Sequence, residues 1–155
     1  MTHGASVDFT YDAVRRLTQI AQKLVLERSE GNASGVTLLQ MDYTYTADDL
    51  PWTIRESGTT LTSQTTVTYT YDNRRRLTHE VRERFDGGGV SVGKDFDLAY
   101  EYDAGGNRTK KIDALTYAPD VLQTEYTYDT SSPATYGSNN NRLVSYAVSR
   151  VSSGQ

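Results

Sequence analysis

The sequence predicts an all-β protein built as a tandem array of β-hairpins, on three observations. Of its 155 residues, 21 are Thr, 12 Tyr and 12 Val, so 45 belong to strongly strand-favouring types. Aromatic pairs at i, i+2 recur five times, as Phe9 and Tyr11, Tyr43 and Tyr45, Tyr69 and Tyr71, Tyr100 and Tyr102, and Tyr126 and Tyr128. In four of the five the next residue is Asp: Asp12, Asp72, Asp103 and Asp129. The second aromatics stand at 11, 45, 71, 102 and 128, so the spacings are 34, 26, 31 and 26 residues. Self-similarity of this kind is the mark of a repeat architecture.

Five units follow in order, spanning about 5–30, 36–58, 64–86, 94–116 and 121–150. Each opens on a segment with period-2 alternation, which signals a strand with one buried face. The apolar sides read Val7-Phe9-Tyr11, then Leu39-Met41-Tyr43-Tyr45, then Val67-Tyr69-Tyr71. They continue as Phe96-Leu98-Tyr100-Tyr102 and Leu122-Thr124-Tyr126-Tyr128. On this pattern Tyr71 and Tyr102 belong to the buried side. A tight turn comes next, as in Asp72-Asn73-Arg74-Arg75 and Asp103-Ala104-Gly105-Gly106-Asn107. Asp suits the first turn position because its carboxylate accepts from a backbone N–H two residues on.

A return strand then restarts at Arg16-Leu17-Thr18, Arg76-Leu77-Thr78 and Arg142-Leu143-Val144. Leu17 to Leu26 is also compatible with a helix; the repeat requires a strand there, and a strand is assigned. The second unit departs from the pattern, with Thr46 in place of Asp and Asp48-Asp49-Leu50-Pro51-Trp52 in place of a basic turn. The fifth carries an insertion, Ser131–Asn140, expected to be a flexible loop. Gly- or Ser-rich linkers are expected at Glu30–Gly35 and Asp86–Gly89.

Composition narrows the function classes. No Cys is present, which excludes thiol catalysis, Cys zinc sites and disulfides. A net charge of −4 opposes a general nucleic-acid binder, which needs a basic excess. No run approaches the roughly 18 apolar residues of a spanning helix. The first residues lack a basic segment leading into an apolar one, so no secretory signal is visible. Neither end has the polar cap expected of a terminal repeat.

The segments Tyr69–Thr78 and Tyr100–Arg108 resemble the YD repeats of bacterial Rhs proteins, wall-associated proteins, toxin-complex shells and animal teneurins. The pattern there is roughly Tyr-x-Tyr-Asp-x-x-Gly-Arg/Asn-Leu/Arg-Thr, and the resemblance covers nearly the whole chain. It implies a curved or spiralling antiparallel strip of hairpins that encloses a toxin or other cargo, in a secreted or surface-exposed bacterial protein. The partners implied are further YD repeats of a longer chain. The Asp-Pro signature of the family's self-cleaving plug is missing, since Pro119 and Pro133 follow Ala118 and Ser132. No protease residue and no toxin domain is therefore carried over.

Other chemistry is weakly signalled. Four copies of one Asp are what a repeat produces, so Asp12, Asp72, Asp103 and Asp129 are read as turn initiators and not as catalytic or cation-binding groups. Arg16 and Arg76 are placed to pair with nearby carboxylates. Asp95 and Asp97, with Asp103 and Asn107, supply oxygen ligands without the spacing of a known calcium loop. His79 is assigned a cross-strand or wet-face role. Gly87-Gly88-Gly89 lacks the Lys-Ser/Thr of a phosphate loop. Asn32-Ala33-Ser34 and Asn107-Arg108-Thr109 match the glycan-acceptor pattern. Trp52 is the candidate for stacking on a sugar ring, against the plainer alternative of cross-strand packing at ~0.2–1 kcal/mol. The expectation is a non-enzymatic structural protein without catalytic residues, metal or cofactor. Its alternatives are a self-assembling extracellular filament subunit, paired with other copies of itself, and a carbohydrate-binding surface module.

Overall fold

The computed structural model describes residues 3–26, 34–117, 120–129 and 142–152. It is all-β, with ten strands and no helix among the described residues. The strands are β1 (His3–Tyr11), β2 (Leu17–Leu26), β3 (Ser34–Tyr45), β4 (Pro51–Ser57) and β5 (Gln64–Tyr71). They continue as β6 (Leu77–Phe85), β7 (Ser91–Tyr102), β8 (Arg108–Tyr117), β9 (Asp120–Tyr128) and β10 (Leu143–Val151). All ten lie in one antiparallel sheet in chain order, so β1 and β10 are its edges. The stretch compatible with a helix, Leu17–Leu26, is strand β2. Most of the Glu30–Gly35 linker, Asn32 among it, and the Ser131–Asn140 insertion lie outside the described residues. No helix among the described residues is long and apolar enough to cross a membrane, which leaves strands unaddressed. Contacts gather the chain into two units, Met1–Tyr69 with Val81–Lys94, and Thr70–Glu80 with Asp95–Gln155.

One turn geometry closes five of the connections. Asp12 N–H donates to the Arg16 carbonyl at 2.9 Å, and Arg15 N–H donates back to Asp12 at 3.0 Å. The same two bonds recur over Thr46–Leu50, Asp72–Arg76, Asp86–Val90 and Asp103–Asn107. The fourth residue of each has positive φ: Arg15 66°, Asp49 61°, Arg75 64°, Gly89 80° and Gly106 93°. This is a type I turn followed by a left-handed bulge residue, one of the common ways to close a three-residue hairpin loop. The bulge appears in the register as Tyr11 opposite Leu17, Tyr45 opposite Pro51 and Tyr102 opposite Arg108. Asp86–Gly89, expected as a linker, is a turn of this kind.

Three of the five bulge positions hold a side chain where glycine is easiest, because a Cβ crowds the carbonyl in the left-handed region. Arg15→Gly is therefore expected to raise the unfolding free energy by about 0.5–1 kcal/mol, read as a higher denaturant midpoint at unchanged slope.

Burial is thin. Among the described residues only Ala21 (1% exposed), Tyr100 (8%) and Thr65 (8%) are buried. All ten strands belong to one sheet, so shielding comes mainly from side chains on neighbouring strands. Tyr71 and Tyr102 are half-buried, and Tyr100, on the same side as Tyr102, is buried. One expectation needs correction. Val7, Phe9 and Tyr11, expected on a buried face, are all more than half exposed, because β1 has β2 as its only neighbour.

The β4–β5 connection is tied down differently. Thr59 and Thr60 each donate both backbone N–H and hydroxyl to β3, to the carbonyls of Thr37 and Leu38. Between them and β4 sits Gly58, where a Cβ would stand 2.2 Å from the Leu38 carbonyl oxygen.

Candidate functional site

Among the described residues the most elaborate constellation is a clamp between successive hairpins, and it is built twice. Asp12 begins it. Its Oδ1 accepts from the backbone N–H of Val14 (3.0 Å) and Arg16 (2.9 Å), which fixes the turn. Its Oδ2 accepts from Arg16 Nε at 2.7 Å, which orients the guanidinium. That plane lies over the Tyr45 ring, 4.7 Å from its centroid, on the neighbouring strand β3. The Tyr45 hydroxyl donates to the Leu17 carbonyl at 2.7 Å. Arg16 Nη1 reaches Asp49 in the next turn at 2.5 Å.

The second copy repeats these parts within the other unit. Asp72 accepts from the N–H of Arg74 and Arg76, both 2.9 Å, and from Arg76 Nε at 2.7 Å. Arg76 lies 4.7 Å over the Tyr102 ring, and the Tyr102 hydroxyl donates to the Leu77 carbonyl at 2.7 Å. Arg76 Nη1 donates to the Asp103 carbonyl (2.9 Å), and Arg74 to Ala104 (2.7 Å). A guanidinium held by a carboxylate and stacked on an aromatic face uses properties of Arg that Lys lacks.

The other hairpin tips vary these parts. Asn107 takes the Arg place after Asp103, donating Nδ2 to Asp103 Oδ2 at 2.9 Å. Stacking there passes to Arg108, 4.5 Å over the Tyr100 ring. Thr46 replaces Asp, and its hydroxyl accepts from Leu50 N–H at 3.2 Å. The last tip keeps the ends, with Asp129 N–H donating to the Arg142 carbonyl at 2.9 Å and the two side chains 3.9 Å apart. The predicted pairing of Arg16 and Arg76 with carboxylates is present. Their grip on the next hairpin's tyrosine was not anticipated, since it depends on a register that local pattern does not supply.

The carboxylates of Asp12, Asp72 and Asp103 are held below the ordinary Asp value of 3.8. For Asp12 and Asp72 the chief cause is the backbone N–H of Arg16 and Arg76; for Asp103 it is the Asn107 side chain. A lowered folded-state pKa gives stability that is present above the ordinary value and lost as pH falls through the lowered ones. Acid unfolding is therefore expected to steepen below about pH 4. Asp72→Asn, which keeps the backbone acceptor, should flatten that dependence in denaturant midpoints measured across the acid range.

Elsewhere, polar side chains pair across strands. His79 Nε2 and Asp97 Oδ1 stand 2.6 Å apart, the cross-strand role expected for this histidine. Glu56 Oε2 accepts from Arg82 at 2.9 Å and from the buried Thr65 hydroxyl at 3.2 Å. The Asp95, Asp97, Asp103 and Asn107 oxygens do not gather as cation ligands: Asp97 is engaged by His79, while Asp103 and Asn107 close their own turn. Among the described residues no three His, Asp or Glu side chains converge as a metal site. Trp52 is 53% exposed on β4, and the shallow depression lined by Arg55, Gln64, Thr66, Phe85 and Gly89 does not include it.

No model of a known protein family matches this chain, and no curated protein matches it.

Proposed function

We propose that the chain is a non-catalytic structural segment of a hairpin-repeat sheet, resembling the YD-repeat shells of secreted or surface-exposed toxin-type proteins. The observation that carries this reading is the duplicated clamp, in which each Asp–Arg turn fastens the tyrosine of the following hairpin. Asp12, Tyr45, Asp72 and Tyr102, all drawn from the recurring motif, are thus used in joining one repeat to the next. In this role the partner of a hairpin is another hairpin, and enclosure of cargo follows from adding many of them.

A tandem fusion of two copies tests the reading. Repeat stability grows with nearest-neighbour interfaces, so the fusion should unfold in one cooperative transition with a midpoint above that of the single chain. Two independent transitions at the single-chain midpoint would sink it. The exposure of Trp52 supports one alternative, a sugar-stacking surface. Its mark would be glycan-array binding that disappears in Trp52→Ala with the fold intact.

A further inference from the structure

We propose that the chain pairs head to tail with a second copy of itself, the β10 edge of one copy against the β1 edge of the next. The joint is the clamp again, with Asp129 and Arg142 of one copy closing on Tyr11 of the other. This rests on the structural-repeat reading and names the partner that reading leaves open.

Each edge presents one half of the clamp. Asp129 and Arg142 hold the places of Asp12 and Arg16, with the same closing backbone bond and their side chains 3.9 Å apart, and the Arg142 side chain is 73% exposed. Tyr11 holds the place of Tyr45 and Tyr102, directly before its turn, and is 58% exposed. Strand β10 is also in phase with β2. The bulge that sets Leu17 opposite Tyr11 and Gln19 opposite Thr10 recurs as Leu143 opposite Tyr128 and Ser145 opposite Thr127. Arg142-Leu143-Val144-Ser145-Tyr146-Ala147 therefore corresponds residue by residue to Arg16-Leu17-Thr18-Gln19-Ile20-Ala21.

A second match follows from that phase. Between β2 and β3, Ile20 lies opposite Met41, and the same register sets Arg16 opposite Tyr45. Transferred to the edges, it sets Arg142 opposite Tyr11, Val144 opposite Phe9, and Tyr146 opposite Val7. The last four are all apolar and more than half exposed. Strand direction also agrees. Directions alternate through ten strands, so β1 of a following copy continues the sheet antiparallel to β10. Edge strands of nine residues with no proline to blunt them invite such pairing. Every residue of β10 is exposed, as Ala147 shows against the buried Ala21 that corresponds to it. Because the two surfaces differ, the contact is heterologous and propagates into a filament unless the rotation closes a ring.

Sedimentation velocity on the whole chain over a concentration series tests this. Wild type should grow progressively past the dimer. Tyr11→Ala, which loses the stack and the hydroxyl bond, and Arg142→Ala, which loses the stack, should weaken association roughly thirtyfold and tenfold. Both side chains are exposed, so at concentrations where wild type is monomeric both variants should keep its circular dichroism and melting curve. Each variant retains the half-clamp that the other lacks. Near the wild-type association midpoint, neither alone should assemble, while an equimolar mixture should give a one-to-one dimer. Three results overturn the proposal: a wild-type chain monomeric at its highest soluble concentration, growth that stops at two, or variants that assemble like wild type. The tandem fusion reads the repeat interpretation separately, since a monomeric single chain with a cooperative fusion removes only the self-pairing.

Discussion

Gly58→Ala is expected to cost about 3 kcal/mol of unfolding free energy, at the upper end for a side chain forced into a filled site. The added methyl carbon would stand 2.2 Å from the Leu38 carbonyl oxygen and 2.9 Å from both the Leu38 carbonyl carbon and the Leu39 Cα. All three are backbone atoms of β3, so no rotamer change relieves the overlap. The adjacent Thr59 and Thr60 bonds to Thr37 and Leu38 hold the two chains at that distance. Relaxation must break those bonds or shift β4 in its register, in which Ser57 lies opposite Gln40. A chemical denaturation midpoint unchanged from wild type would show that the close approach is not maintained in solution.

Tyr100→Ala is expected to cost a similar amount, about 3 kcal/mol, as large aromatic truncations at buried sites do. The ring is buried, it carries Arg108 at 4.5 Å, and its hydroxyl donates to Glu80 Oε1 at 2.5 Å. Truncation removes all three contributions and leaves Glu80 without that donor. Tyr102→Ala, at a half-buried site, should cost less. Tyr100→Phe separates the ring from the hydroxyl. Burial, and then the bond to Glu80, push the Tyr100 phenol well above its ordinary value of 10. A raised folded-state pKa gives stability that is complete below the ordinary value and lost as pH rises beyond it. Wild type should therefore lose stability above about pH 10, and Tyr100→Phe should lack that component. Equal alkaline slopes for the two proteins would contradict this account of the phenol.

Much of the architecture was legible because its determinants are local. Aromatic alternation with a following Asp announces both a strand and the turn that ends it, so an all-β antiparallel sheet could be inferred from sequence alone. Thr46 in place of Asp looked like a departure in the second hairpin, yet a hydroxyl accepts the same backbone bond and the turn is retained. Asp86–Gly89 carried a readable signal that was overlooked: Asp with Gly three residues later, the spacing that Asp103 and Gly106 also show. The clamp was not legible, because Arg16 and Tyr45 are separated by a whole strand and meet only through the β2–β3 register. The depth of burial was not legible either. Period 2 tells which residues share a face, while what covers that face depends on neighbouring strands; Phe9 on an edge and Tyr100 on β7 carry the same pattern with opposite outcomes.

The bond from Asp129 to Arg142 has a consequence for how such a chain can change length. In the first hairpin three residues separate the closing pair, and in the last twelve do, from 130 to 141, while the pair itself keeps its 2.9 Å bond. Loop closure grows only logarithmically with length, about 0.6 kcal/mol per doubling, so going from three to twelve adds about 1.2 kcal/mol. That is a small charge against the ladder of β9 and β10, whose register resumes with its usual bulge directly beyond the pair. Further residues inserted between Asp129 and Arg142 are therefore expected to leave the pairing of β9 with β10 in phase.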